Sequence, residues 1–230
     1  LTPVVGLGSD SVLELYHGPT SAFKDMALCI LPHLIAASCR KNGVKKDILI
    51  LTATSGDTGK AALAGFADAP QTKVMVFFPA GDIQRLQMIT QEGKNVCVCG
   101  INGNFDDAQR GVKNVFSNVK SENVELSSAN SINIGRLAPQ VAYYFKAYAD
   151  LLRQKKIAWG DKINFVVPTG NFGNILAGYL AKRMGLPVGK LICASNKNDV
   201  LTEFISTGKY NRLRPFYQTA SPSMDILVSS

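Results

Sequence analysis

Acidic side chains are scarce in this 230-residue chain: 17 Asp and Glu stand against 25 Lys and Arg, a formal net charge of +8 with both histidines neutral. Histidine is scarcer still, and neither His17 nor His33 belongs to a metal-ligand spacing pattern, which excludes a zinc site read from sequence. The five cysteines are odd in number and follow no disulfide spacing. No apolar run approaches the ~18 residues of a membrane span. The opening Leu1-Thr2-Pro3-Val4-Val5 has no basic segment followed by an apolar core, so the expectation is a reduced, cytoplasmic protein. Serine never stands in a Gly-x-Ser-x-Gly setting, which removes the commonest hydrolase elbow. Aromatics make up only 8% of the chain and do not interleave with basic residues. The basic residues are scattered, with Lys45-Lys46 and Lys155-Lys156 the densest groups. Nucleic-acid binding is therefore not expected, and a surplus held for small anions accounts for the charge equally well.

What is present is a core. At 46% hydrophobic and 18% charged, the chain is not disordered. Apolar strand-like runs alternate with helix-period segments. Strands are predicted at residues 12–16, 47–53, 73–78, 95–99, 124–126, 162–167 and 190–195. Helices are predicted at 21–41, 61–66, 83–92, 105–120, 135–155 and 174–184. Strands separated by helices make an α/β protein with mostly parallel sheets covered by helices. Tyr143, Tyr144, Phe145 and Tyr148 lie at helical spacing and read as core.

In such folds ligands collect where strands end and helices begin. Three segments have suitable composition there. Thr169-Gly170-Asn171-Phe172-Gly173-Asn174 lies between a strand and a helix. Its glycines permit close approach to an anion, although a tight turn capped by Asn174 explains the pattern equally well. Thr54-Ser55-Gly56-Asp57-Thr58-Gly59-Lys60 nearly imitates a nucleotide P-loop, but Thr54 stands where the first glycine belongs and Ala61 where the hydroxyl belongs. The Ser55 and Thr58 hydroxyls suit a carboxylate or a helix cap. Ser127-Ser128-Ala129-Asn130-Ser131-Ile132-Asn133-Ile134-Gly135-Arg136 places small polar groups before a helix and an arginine one turn in. That arginine offers a bidentate fork for phosphate, although a surface arginine is the simpler expectation. Lys24, in Phe23-Lys24-Asp25 near a helix start, opposes the helix dipole and so is either solvated or chemically employed.

Taken together, the runs Leu13-Glu14-Leu15-Tyr16-His17-Gly18-Pro19-Thr20-Ser21-Ala22-Phe23-Lys24-Asp25, Thr54-Ser55-Gly56-Asp57-Thr58-Gly59, Ser128-Ala129-Asn130-Ser131-Ile132-Asn133 and Gly170-Asn171-Phe172-Gly173-Asn174 resemble the threonine synthase family. These are fold type II pyridoxal-phosphate enzymes of the tryptophan-synthase-β superfamily. The resemblance implies pyridoxal 5'-phosphate as cofactor, held by Lys24 as an imine and by Gly170, Asn171, Phe172, Gly173 and Asn174 through its phosphate. It places Asp57 beside the cofactor's 3′-oxygen, where many relatives have asparagine. It implies Ser55, Gly56 and Thr58 for the substrate carboxylate, and Asn130, Ser131, Asn133 and Arg136 for its phosphate. The implied reaction converts O-phospho-L-homoserine and water into L-threonine and phosphate, with no nucleic-acid or membrane partner, in a monomer or homodimer.

Two α/β subdomains are expected: 1–44 with 146–230 as parts of a large cofactor domain, and 45–145 as a smaller mobile one. The resemblance also implies a chain cut short at both ends, with the partner of the ring nitrogen beyond residue 230 and the isolated piece inactive or poorly folded. Two alternatives share these residues. One is a phospholyase that performs β-elimination on a phosphorylated hydroxy-amino acid. The other is a catalytically inactive anion-binding homologue.

Overall fold

The computed structural model describes residues 2–54, 56–80, 93–211 and 214–225. Packing divides the chain into two compact units, Leu1–Pro139 and Gln140–Ser230.

The first unit opens with an antiparallel hairpin, β1 (Val4–Leu7) and β2 (Asp10–Leu13). Its centre is a four-stranded, all-parallel sheet. The strands are β3 (Asp47–Ala53), β4 (Thr72–Pro79), β5 (Val96–Ile101) and β6 (Val124–Ser128), in the order β5-β4-β3-β6. The two-residue period of β3 explains its unbroken apolar run. Ile48 and Ile50 face one layer, where Leu28, Leu31, Cys39, Leu63 and Phe66 complete a core. Leu51 and Ala53 face the other, against Ala108 and Val112.

The described helices lying wholly within this unit are α1 (Asp25–Leu28), α2 (Leu31–Asn42), α3 (Asp57–Phe66) and α4 (Phe105–Asn118). The single helix predicted over 21–41 is broken in two. Pro32 has no N–H, and its ring would strike the carbonyl four residues back, on Leu28, where α1 ends. Gly43, with φ +66°, stops α2 as its position after Asn42 suggested. Asn104 and Asp107 form a reciprocal capping box that starts α4. The α1–α3 crossing needs Gly65: a Cβ there would lie 2.3 Å from the Leu28 carbonyl oxygen. The helix predicted at 83–92 lies outside the described residues.

Helix α5 (Ile134–Arg153) carries the chain into the second unit. There β7 (Ile163–Pro168) pairs in parallel with β8 (Val188–Ala194), joined by α6 (Gly173–Arg183). Tyr143, Tyr144 and Tyr148 are buried as expected, and Tyr144 meets the Phe165 ring edge-on at 4.8 Å. Phe145, by contrast, is exposed at its margin. Two elements go beyond the sequence reading: β1, and α7 (Val200–Thr207), which ends at the left-handed Gly208.

Leu28, Leu31 and Cys39, all before residue 45, share one core with Ile50 and Phe66. Parallel sheets covered by helices, the α/β class expected, are present in both units' topology.

Candidate active site

In the first unit the site is built around Lys24. Asp25 fixes the turn that carries it. The fully buried Asp25 carboxylate accepts hydrogen bonds from the Thr20 N–H (2.9 Å), the Thr20 hydroxyl (2.6 Å) and the Ala22 N–H (3.4 Å). Gly18 is small for the same reason, since a Cβ there would sit 2.5 Å from that carboxylate. Lys24 occupies the N-cap position of α1, where a cation meets the unfavourable end of the helix dipole. It is nevertheless buried, with 8% of its surface exposed. Burial lowers its amine from the ordinary lysine value to about 8, and Arg136 and Lys60 push the same way against the opposing pull of Asp57. The Nζ lies 3.5 Å from the Asp57 carboxylate and 5.0 Å from the centre of the Phe23 ring.

Asp57 begins α3, presented by Gly56 at φ +152°, a conformation that a side chain disfavours. Thr58, one of the expected capping hydroxyls, lies inside the first turn of α3 and does not cap it. Thr54, at the end of β3, does it instead: its Oγ1 accepts from the Gly56 N–H (3.0 Å) and the Gly59 N–H (2.9 Å). A threonine at a strand end just before Gly-x-x-Gly is a signal that could have found it. Thr58 is half-buried in the first turn of α3, and Ser55 lies outside the described residues.

The loop between β6 and α5 brings Arg136 into the same unit. The expected surface arginine is instead 4% exposed, its Nη1 donating to the Ala129 carbonyl at 2.8 Å. Burial lowers its guanidinium to about 10. Asn130 extends the sheet with its side chain, accepting from the Ala53 N–H (3.2 Å) and donating to the Ala53 carbonyl (2.8 Å). Asn133 donates to the Ser128 carbonyl (2.7 Å) and accepts from the Gly135 N–H (2.8 Å). Both asparagines thus shape the loop through backbone partners. Ser131 is half-buried between them. Of the first-unit candidates, Lys24, Asp57 and Arg136 form one electrostatically coupled group.

The second unit holds residues 170–174, between β7 and α6. Phe172 caps α6 from the left-handed region (φ +60°), so Asn174 is not the cap. A non-glycine residue there costs roughly 1–2 kcal/mol, a strain that clusters at ligand-binding turns. Asn171 is exposed, and Gly170, Phe172 and Gly173 are partly buried. The first N–H groups of α6 have no partner within the helix, which suits an anion. Asn174 is held from below: its Oδ1 accepts from the Tyr143 hydroxyl (2.5 Å) and the Tyr144 hydroxyl (2.8 Å). Burial pushes both phenols well above the ordinary tyrosine value, so they remain protonated donors. Their helical spacing marked them as core without disclosing this second task.

Among the described residues no group of His, Cys, Asp and Glu is arranged to hold a metal, and no helix is long and apolar enough to cross a membrane.

A family model described as pyridoxal-phosphate dependent enzyme matches residues 12–229. Threonine synthase-like 1 of Homo sapiens is 45% identical over 97% of this chain and 32% of its own length. Threonine synthase of Schizosaccharomyces pombe is 43% identical over all of this chain and 48% of its own. A crystal structure of pyridoxal-phosphate-bound threonine synthase from Brucella melitensis superposes on 99% of the chain with a TM-score of 0.85 at 41% identity, covering 48% of that protein. The chain thus spans about a third to about a half of the length of these relatives.

Proposed function

The chain belongs to the family of pyridoxal-phosphate-dependent enzymes, with the fold of its threonine synthases, and from that premise we propose that it carries threonine synthase chemistry. The substrate of this reading is O-phospho-L-homoserine, converted with water into L-threonine and phosphate by β,γ-replacement with loss of a carbon–oxygen bond. One observation carries it above the rest: a buried lysine amine lowered to about 8, beside a carboxylate and coupled to a buried arginine.

The residues fit the cofactor. Lys24 would hold it through its amine, and residues 170–174 would meet its phosphate with backbone N–H groups at the start of α6. Asp57 stands 3.5 Å from that amine and would lie beside a polar group of the cofactor's ring. When bound, pyridoxal phosphate supplies an electron sink that stabilises negative charge at the substrate carbon next to the amine.

The rest is the work of the chain. With a value about 8, roughly a quarter of Lys24 is neutral at pH 7.5, against about one part in a thousand for an ordinary lysine. That makes it a competent base for protons at Cα and Cβ. Asp57 holds the protonated form, so that a proton taken is kept close for return. Ser55, Gly56 and Thr58 would bind the substrate carboxylate at the α3 start, where the helix dipole favours an anion. Arg136 would take the substrate phosphate together with Ser131, with Asn130 and Asn133 shaping the loop around it. Five unpaired thiols fit a reducing compartment such as the cytoplasm.

The test is product analysis of the purified protein with pyridoxal phosphate and O-phospho-L-homoserine. Threonine formation that Lys24→Ala abolishes supports the reading; a wild-type protein that binds the cofactor and makes no threonine defeats it. The 45% identity to a protein described only as threonine synthase-like favours a second reading. In it the same site performs β-elimination on a phosphorylated hydroxy-amino acid: phosphate leaves, one water is consumed, and the products are a 2-oxo acid, ammonia and phosphate.

A further inference from the structure

Past α7 the chain returns to the carboxyl ends of β7 and β8, and the short 3-10 turn Pro222–Met224 comes to rest beside Gly170. The Ser223 carbonyl oxygen lies 3.3 Å from the position a Cβ on Gly170 would take. The first glycine of the anion loop is therefore covered by backbone, and a side chain there would press on that backbone.

What holds this strap is a carboxylate. Asp225 Oδ1 accepts from the Asn196 amide (2.7 Å), the Asn198 amide (3.1 Å) and the Thr219 hydroxyl (2.8 Å). Its Oδ2 accepts from the Thr219 N–H (2.9 Å). Asn196 and Asn198 belong to the turn between β8 and α7. Asn198, 5% exposed, also pairs with the Tyr217 backbone in both directions: its amide donates to the carbonyl at 2.8 Å and its Oδ1 accepts from the N–H at 3.0 Å. Every group facing Asp225 in this set is a donor. Burial pushes the carboxyl up, but the Thr219 N–H and hydroxyl and the two amides outweigh it and hold the group below the ordinary value. None of this takes part in the chemistry above.

We propose that Asp225 is a positioning residue for the cofactor phosphate: by tying residues 217–225 to the β8–α7 turn, it keeps the Ser223 backbone seated on Gly170 and holds the loop of residues 170–174 in its anion-binding form. The loop needs such support because it carries a left-handed residue, Phe172, at its centre. Tyr143 and Tyr144 secure its far end through Asn174, and the strap secures its near end. The requirement is for a carboxylate. An asparagine at 225 would turn an NH2 group toward at least one of four donors.

This rests on the cofactor reading, and the experiment separates the two. Dissociation constants for pyridoxal phosphate and for pyridoxal, which lacks the phosphate, are measured by the visible absorbance of the lysine-bound form, in wild type and in Asp225→Asn. The expected result is a loss of about tenfold for pyridoxal phosphate and less than about twofold for pyridoxal. Equal losses for both compounds would mark Asp225 as a general structural residue and overturn the proposal, as would unchanged binding of pyridoxal phosphate. Should Asp225→Asn fail to fold, Thr219→Val removes one of the four donors to Asp225, together with an acceptor for the Asn196 amide and the Ser221 N–H, and is read by the same ratio. A wild-type protein that binds neither compound sinks the cofactor reading itself, and the role of Asp225 with it.

Discussion

Lys24 and Asp57 face each other at 3.5 Å from two different helix starts, yet the lysine remains far below its ordinary value because burial outweighs the carboxylate. Arg136 acts on the same amine with the opposite sign. Two substitutions should therefore move Lys24 in opposite directions. Asp57→Asn removes the stabilising charge and is expected to lower the amine below about 8; Arg136→Gln removes a repelling charge and is expected to raise it. A pH titration of the Lys24 Nζ by heteronuclear NMR in the cofactor-free protein reads both. Shifts of the same sign in the two variants would refute this electrostatic account.

The same amine makes stability depend on pH. Its value is about 8 when folded and 10.5 in the reference chain, so between those limits the unfolded state binds more protons and stability rises with pH. Below pH 8 the folded protein bears the cost of a buried charge, about 3 kcal/mol at full size. Lys24→Met is accordingly expected to be the more stable protein at pH 7, with the difference closing by about pH 10.5. Urea unfolding at pH 7 and pH 10 checks it, and a constant difference across that range would count against the buried-charge assignment.

Most of the layer order was legible from period and punctuation alone. The unbroken apolar run of β3 announced a strand covered on both faces, and Asn42-Gly43 announced the end of α2. The break before Pro32 was also in the sequence, since a proline forbids the helix four residues behind it, yet the surrounding helical period concealed it. Helix α7 was hidden by its valine, isoleucine and threonine content, which favours strands until packing decides. The site was legible as a set of residue types but not as a set of partners. Arg136 in isolation is a surface arginine; only the folded loop buries it against the Ala129 carbonyl. Asn130 lies 77 positions from Ala53, and no local pattern announces a pairing of that separation.

That pairing has a consequence for Asn130. Ala53 is almost fully buried, and both its backbone groups depend on the Asn130 side chain. Asn130→Ala would leave a buried N–H and carbonyl without those bonds, a loss on the order of 1–3 kcal/mol. The expected outcome is a lower urea midpoint with an unchanged slope. A variant of wild-type stability whose only defect is weaker binding of inorganic phosphate would show instead that the side chain serves a ligand directly.

Gly56 tests how the backbone delivers Asp57 to Lys24. At φ +152° it occupies a region that side chains disfavour, and Thr54 anchors it there by accepting its N–H at 3.0 Å. Gly56→Ala must either hold that strained conformation, at a cost of about 1–3 kcal/mol, or relax and shift the first turn of α3. Either route lowers the melting temperature. Only the second carries Asp57 away from the amine, which would deprive Lys24 of the stabilising Asp57 charge and lower its value further. Measuring the melting temperature together with the Lys24 titration distinguishes the routes. A Gly56→Ala protein that melts at the wild-type temperature would mean that this turn is not strained at all.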